Sequence, residues 1–343
     1  MSSPTGHASQ RNGWVWCALA AVLFGAATPA TKLVVDDIGA VALAGLLYLG
    51  AAAAVTPFAL RERRLPATVR QRSRLLVAVG LGGGLAPVLL VLALDRTPAG
   101  TVSLFLNLEL VATAVIARVF LQEQIGRRAG LGIVVVVLGG VILAGTAEAG
   151  VAAGALLVAA TCICWGVDNA ITASLDSYTP AQITLAKGAV AGSVNLLLGI
   201  VLDGVPTLPV TLAALTIGAL GYGLSITMWI TGARLVGAAR GQVVFALAPF
   251  IGALLAWPVN GDRPTATTAI AFAVSLTGVI VVATGHHAHA HRHETFEHAH
   301  PIDQTDLHHR PGAIVVLSGT RHRHLPLTHE HEHLPDIHHR HAH

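Results

Sequence analysis

The chain has 343 residues, 53% of them hydrophobic and only 11% charged, with a formal net charge of +3 and an isoelectric point near 9.0. Ordinary soluble domains carry roughly 25% charged residues, so this composition excludes a soluble enzyme. The positive charge gathers in short loops beside apolar runs, which points to a membrane surface and away from nucleic acid.

In chain order, the N-terminal MSSPTGHASQRNG is polar and enters an apolar segment with no small-residue cleavage site before the next charged turn. It is expected to lead into an uncleaved first span. Apolar runs then occupy about 13–35, 38–60, 75–94, 98–121, 129–146, 151–175, 181–202, 210–231, 241–259 and 266–284. A bilayer core of about 30 Å takes about 20 apolar residues per helical crossing. With no water to satisfy its backbone, each run must be helical, and none alternates with the two-residue period of a barrel strand. The expected fold is an all-α polytopic membrane protein of ten transmembrane helices.

Arginine sets the orientation. Arg61, Arg63, Arg64, Arg70, Arg72 and Arg74 crowd the loop after the second run, and Arg127, Arg128, Arg234 and Arg240 fall in other loops of the same side. The opposite loops hold Asp36, Asp37, Asp95 with Arg96, Glu148, Asp203, and Asp262 with Arg263. Positive loops stay inside, so both termini are expected in the cytoplasm and the chain in the cell's inner membrane. Trp14, Trp16, Trp229 and Trp257 lie near span ends, as interfacial aromatics do, whereas Trp165 lies well inside its span.

Slid on itself by about 140 residues, the chain overlays FLNLELVATAVIARVF from Phe105 on FALAPFIGALLAWPV from Phe245. Five spans per repeat is an odd number, so the second copy must cross in the opposite sense, as in the inverted repeats of many secondary transporters. The boundaries expected are 1–145 for the first repeat, 146–285 for the second and 286–343 for a flexible tail.

Ionisable groups inside spans are rare because each costs at least about 2.5 to 3.5 kcal/mol at the bilayer centre. The candidates are Glu109 with Asn107 in the fourth run, Trp165, Asp168 and Asn169 in the sixth, and Lys187 with Asn195 in the seventh. Two readings compete. In one, Lys187 pairs with Asp168 or Glu109 and locks helices together. In the other, these residues line a central cavity between the repeats and bind solute. Lys32 and Arg118 lie near span ends and read as snorkelling anchors. Thr28-Pro29, Pro87 and Pro249 can loosen their helices. Gly80 with Gly84, and Gly188 with Gly192, have the spacing of close helix contacts. Cys17, Cys162 and Cys164 all fall in apolar runs and form neither a disulfide framework nor a thiolate metal pair.

The tail holds 18 of the 19 histidines, many in alternation: His287, His289, His291 and His293, then His329, His331 and His333, then His339, His341 and His343. Imidazole suits zinc, nickel, copper and cobalt, so the tail is expected to bind divalent metal even though the membrane part needs no cofactor. Ala313 to Leu317 is a short apolar run within it and reads as a single strand or a docking segment.

The stretch Ala93-Leu94-Asp95-Arg96-Thr97-Pro98-Ala99, then Leu106-Asn107-Leu108-Glu109, then Leu121-Gln122-Glu123 resembles the drug/metabolite transporter superfamily and its EamA-type ten-helix members. Pro249 resembles the family's usual proline, with Glu109 at the matching place in the first repeat and Asp262 only roughly matching Glu123. The likeness spans about 14–284. It implies a secondary transporter working by alternating access, not an enzyme, with membrane lipid and a small-molecule or ion substrate as partners. Export is favoured, and a homodimer is among the oligomeric states left open. The first span lacks the carboxylate on which the four-helix multidrug relatives depend, so their proton-coupled mechanism is not implied. Two further readings remain: a nickel, cobalt or zinc transporter loaded by the tail, and a metal-responsive membrane sensor without transport. The spans hold no histidine and the chain only two methionines, which disfavours metal as cargo.

The topology is checked by a reporter fused after His343: activity in the cytoplasm is expected, and activity only in the periplasm would mean a missed or false span.

Overall fold

The structure, a computed structural model, describes residues 4–62, 67–116, 118–119, 126–145, 149–172, 175, 177–236 and 238–283, and in the tail 288–293, 296–299, 314–318, 321–324 and 327–332. It divides into two compact units, Met1–Thr284 and Gly285–His343.

Among the described residues of the first unit, ten helices are long and apolar enough to cross a membrane. They are α1 Asn12–Lys32, α2 Ala40–Arg61, α3 Val69–Arg96, α4 Ala99–Ile116 and α5 Arg127–Gly145. The second five are α6 Val151–Thr172, α7 Pro180–Asp203, α8 Leu208–Gly232, α9 Val243–Asn260 and α10 Ala266–Ala283. The all-α polytopic fold read from the sequence is the fold found.

The packing shows the duplication. Helix α1 lies against α8 and α9, and α6, five spans on, lies against α3 and α4. Helix α2 packs on α8 as α7 does on α3, while α2 with α7, α4 with α9, and α5 with α10 each pair with their own counterpart. Such a contact set is what a two-fold relation between the halves requires. The irregularities repeat as well. Helix α3 widens into a π-helical segment over Val79–Leu85, and α8 does so over Ala219–Leu224, 140 residues later. Helix α4 breaks between Phe105 and Leu108, and the chain leading through α9 breaks between Phe245 and Ala248. Pro249 sits in the first turn after that second break.

Helices in lipid gain no hydrophobic advantage from touching each other, so close backbone approach has to supply the packing. At the α2–α7 crossing a Cβ added to Gly188 would run into the Tyr48 carbonyl, and one on Gly192 would stand 3.0 Å from the Gly45 carbonyl. The Gly188 and Gly192 spacing is therefore a contact surface. The Gly80 and Gly84 spacing is not: a Cβ on Gly80 meets nothing within 4 Å, because Gly80 belongs to the widened part of α3 and faces outward. Lys32 also differs from its expected role as a snorkelling anchor. Its ammonium donates to the Leu94 carbonyl at 2.5 Å, where it satisfies and neutralises the C-terminal end of α3.

The described residues of the tail form five short strands, β1 Ala288–His293, β2 Phe296–Ala299, β3 Ile314–Ser318, β4 Arg321–His324 and β5 Leu327–Glu332. Of the apolar run noted at 313–317, residues 314–317 lie in β3, and Ala313 lies outside the described residues. Strands β1 and β5 form an antiparallel pair, and β2, β4 and β3 form a second antiparallel sheet in that order.

Gly188→Leu is expected to destabilise the chain by about 1 to 3 kcal/mol or more through overpacking at the α2–α7 crossing, whereas Gly80→Leu should be near neutral. Thermal unfolding of the two variants in one detergent compares them directly; equal losses would contradict the packing described.

Candidate functional site

The site grows from the π-helical segment of α3. There the Ala86 amide donates to the Leu81 carbonyl, five residues back. The next amide in that register would be aimed at the Gly82 carbonyl, but residue 87 is proline and has none. A buried carbonyl without a partner is costly in a membrane interior. Two side chains meet the need: the Tyr48 hydroxyl of α2 donates to Gly82 O at 2.6 Å, and Trp165 Nε1 of α6 donates to it at 3.3 Å. Farther along the same segment, Asn195 Nδ2 of α7 donates to Gly84 O at 3.0 Å. A defect in one helix thereby ties three others to it.

Gly82 matters a second time. A Cβ on it would collide with the Asp168 carboxylate, so glycine leaves the space that Asp168 fills. Asp168 is only 4% exposed, and its Oδ2 receives the Lys187 ammonium at 2.5 Å. Its other oxygen, Oδ1, is buried without a hydrogen-bond partner among the described residues. Lys187 lies at the start of another π-helical stretch, Lys187–Ala191, where α7 passes Gly83 of α3. Asn169, next to Asp168 on α6, donates from Nδ2 to Glu109 Oε1 at 3.0 Å and to Thr113 Oγ1 at 3.4 Å.

Six of the seven residues singled out in the spans, Glu109, Trp165, Asp168, Asn169, Lys187 and Asn195, are joined through α3, α4, α6 and α7. Lys187 takes Asp168 as its partner, and Glu109 takes Asn169. The seventh, Asn107, is turned onto its own helix: it is buried, and its Nδ2 donates to the Leu104 carbonyl at 2.9 Å, satisfying the break in α4. Tyr48 and Gly82 were not singled out. The signal for Gly82 is the pairing of Pro87 with a glycine five residues before it in a span, and no local pattern marks Tyr48.

The matching half of the molecule is aromatic. Residue 222, which stands in α8 where Gly82 stands in α3, is a tyrosine. Its ring lies 6.0 Å from Tyr48 and 5.8 Å from Phe24, and Phe24 lies 5.1 Å from Phe245. The two symmetry-related sides of the bundle thus differ, with an ion pair beside α3 and tilted or edge-on aromatic rings beside α8, and Tyr48 bonds to the Gly82 carbonyl on the first side and meets Tyr222 on the second. The pocket between α1, α4 and α9, lined by Phe24, Gly25, Thr28, Ser103, Leu106 and Pro249, is about 10 Å³, room for roughly one water. A larger groove of about 140 Å³ opens between α2, α7 and α8 at the arginine-rich end, beside Phe58, Glu62, Thr184 and Ile226. At the other end Asn260 Nδ2 donates to the Pro29 carbonyl at 3.1 Å, and Asp262 accepts the Gly100 amide at 2.8 Å.

A model of the EamA-like transporter family matches the chain twice, over residues 11–145 and 152–284. The chain belongs to the EamA-like transporter family. An uncharacterized transporter of Methanothermobacter thermautotrophicus is 26% identical over 295 residues, covering 79% of this chain and 85% of the relative. One solved structure, titled only as the crystal structure of a protein, shares the fold with a TM-score of 0.55 at 18% identity, over 80% of this chain and 95% of the other. The family assignment makes the chain a multi-pass membrane transporter whose surroundings are lipid and whose substrate is a small solute.

Among the described residues of known side-chain placement, no three histidine, cysteine, aspartate or glutamate side chains gather at metal-binding distance. The cysteines are free and buried. Of the tail histidines, His287, His333, His339, His341 and His343 lie outside the described residues, while the backbones of His289, His291, His293, His329 and His331 lie in strands β1 and β5.

Breaking the buried pair from one side strands a charge in the membrane. Lys187→Ala is expected to cost about 3 to 5 kcal/mol, and adding Asp168→Ala should restore part of that loss. Unfolding of the single and double variants in detergent measures the difference; a double variant as unstable as the sum of both singles would show that the pair is not coupled.

Proposed function

We propose that the chain is a secondary transporter that exports a small solute by alternating access, with Asp168, Lys187 and Glu109 contacting the polar part of the solute and Tyr48, Tyr222 and Phe24 its apolar part. One observation carries the reading: Asp168 is buried in the span region with Oδ1 unpartnered among the described residues, beside a lysine that is its only ion-pair partner among them. A pair serving only as a lock would be expected to satisfy both oxygens, since a half-satisfied buried network is the costly arrangement. A solute group that donates to Oδ1, or an anionic group that draws Lys187 away, would gain from that deficit. The pair is therefore a place where a solute can exchange with an internal contact.

The helix irregularities support the same reading. π-helical segments and broken helices concentrate where α3, α4, α7, α8 and α9 approach the middle of the bundle, and such segments can change register at small cost. The groove at the arginine-rich end and the small central pocket fit a conformation in which the path is narrow at its centre.

The reading includes a metal-binding cytoplasmic tail, on the strength of its histidine content. The spans contain no histidine, and their buried carboxylate is already engaged by lysine, so metal is assigned to the tail and not to the transport path.

Reconstituted liposomes test the proposal. Counterflow of zwitterionic, anionic and cationic small solutes, each with an apolar portion, should reveal at least one that is transported, and Asp168→Asn should lower its flux at least tenfold while the protein still melts cooperatively. Flux of Ni²⁺, Co²⁺ or Zn²⁺ with none of the organic solutes would overturn the proposed cargo, and no flux of any kind would favour a sensor.

A further inference from the structure

We infer that the tail contains one defined divalent-metal site, formed on a single face of the β1–β5 ribbon by His289, His291, His329 and His331. This rests on the reading above that the tail binds metal, and adds where and how.

Strand register places the four histidines. Strands β1 and β5 are antiparallel, with His289 opposite His331 and His291 opposite His329. Directly opposed residues of an antiparallel pair share a face, and so do residues two apart on one strand. All four positions therefore belong to one face, in two cross-strand pairs. The alternate positions place Ala288 opposite Glu332 and Ala290 opposite Glu330, so the carboxylates of this ribbon belong to the other face.

Alternation alone does not secure this arrangement. A shift of one residue would set His289 opposite Glu330 or Glu332 and His291 opposite a glutamate or Thr328, and each face would then mix imidazole from one strand with other groups from its partner. The register found gathers the imidazole positions of both strands together.

The dimensions suit a metal of the zinc class. Opposed Cβ atoms in antiparallel pairs lie about 4.5 to 5.5 Å apart, and residues two apart on a strand about 6.5 to 7 Å apart. A tetrahedral ion with Zn–N bonds of about 2.0 to 2.1 Å needs three or four donors converging from such a patch. Imidazole suits zinc, copper and nickel, and the strands bring the ligands from segments nearly forty residues apart in sequence. Binding would thus close a long loop and hold β1 to β5, so metal should order this ribbon beyond what its few residues achieve alone. The second sheet sets only His298 opposite His322, with Ile314 and Val316 across β4 from His324 and His322, and offers a smaller set in more apolar company.

The test uses the full chain in nanodiscs titrated with Zn²⁺ against a chromophoric chelator. The variant His289→Ala, His291→Ala, His329→Ala, His331→Ala should weaken the tightest site at least about tenfold, whereas His300→Ala, His308→Ala, His309→Ala, His338→Ala should leave it within about twofold. His289→Ala and His331→Ala should also be non-additive, because either one disables the same ion's cross-strand pair. Equal weakening by both fourfold variants would overturn the site and leave metal affinity as a property of histidine number. Absence of Zn²⁺ binding by the unaltered chain would instead overturn the metal-binding tail itself.

Discussion

The buried polar cluster of the membrane unit depends on one missing amide. Pro87 cannot donate to the carbonyl that the π-helical register of α3 presents at Gly82, and in a membrane interior that carbonyl must find a partner. Tyr48 from α2 and Trp165 from α6 supply it. Because Gly82 also lacks a side chain, the same turn of α3 leaves room for Asp168, which brings Lys187 of α7 with it. Four helices are thus organised around a single backbone position. That geometry resolves an apparent conflict: a protein core in lipid favours apolar packing, yet charged groups are held there because a local backbone defect supplies both the space and the neighbours.

The two repeats share a backbone plan and differ in chemistry. The π-helical segments of α3 and α8 and the helix breaks recur 140 residues apart, while that of α7 has no counterpart in α2, and the interhelical contacts map onto each other when the repeats are exchanged. Side chains at matched positions do not follow. Gly82 is matched by Tyr222, and Asp168 and Lys187 have Thr28 and Leu47 as their counterparts. Duplication supplies a two-fold frame with pliable segments on both sides of the centre. Divergence then gives one wall charge and the other aromatic rings, so a solute between them would meet two unlike surfaces.

Much of this was legible in the sequence. The ten spans follow from apolar run length, and the repeat from the overlay of Phe105 onwards with Phe245 onwards, because in lipid these patterns leave the backbone few alternatives. Glu109, Asp168 and Lys187 stood out because ionisable residues are scarce in spans. Which of them would pair was not legible: Glu109 and Asp168 both lie within the spans, and the choice depends on how α6 and α7 rotate against α3, which Gly82 and Gly83 decide through close packing. Asn107 could not be placed from the sequence for a related reason, since nothing local shows that its amide nitrogen donates to the Leu104 carbonyl at the break in α4. Gly80 and Gly84 had the right spacing for a helix contact, yet they belong to a widened segment where helical facing no longer follows the 3.6-residue period. In the tail, alternation was visible at once, whereas the register that aligns His289 with His331 is a pairing of distant segments that no local pattern reveals.

The central claim is that a solute passes the Asp168–Lys187 pair, which is then a working contact and not a fixed brace. Asn169 is exposed beside it and offers a reporter position. The direct measurement is labelling of Asn169→Cys, in a chain whose three buried native cysteines are replaced, by a membrane-impermeant maleimide applied to each face of oriented vesicles. The account predicts reaction from both faces, slowed from both by the transported solute; reaction from one face only, unchanged by solute, would contradict it.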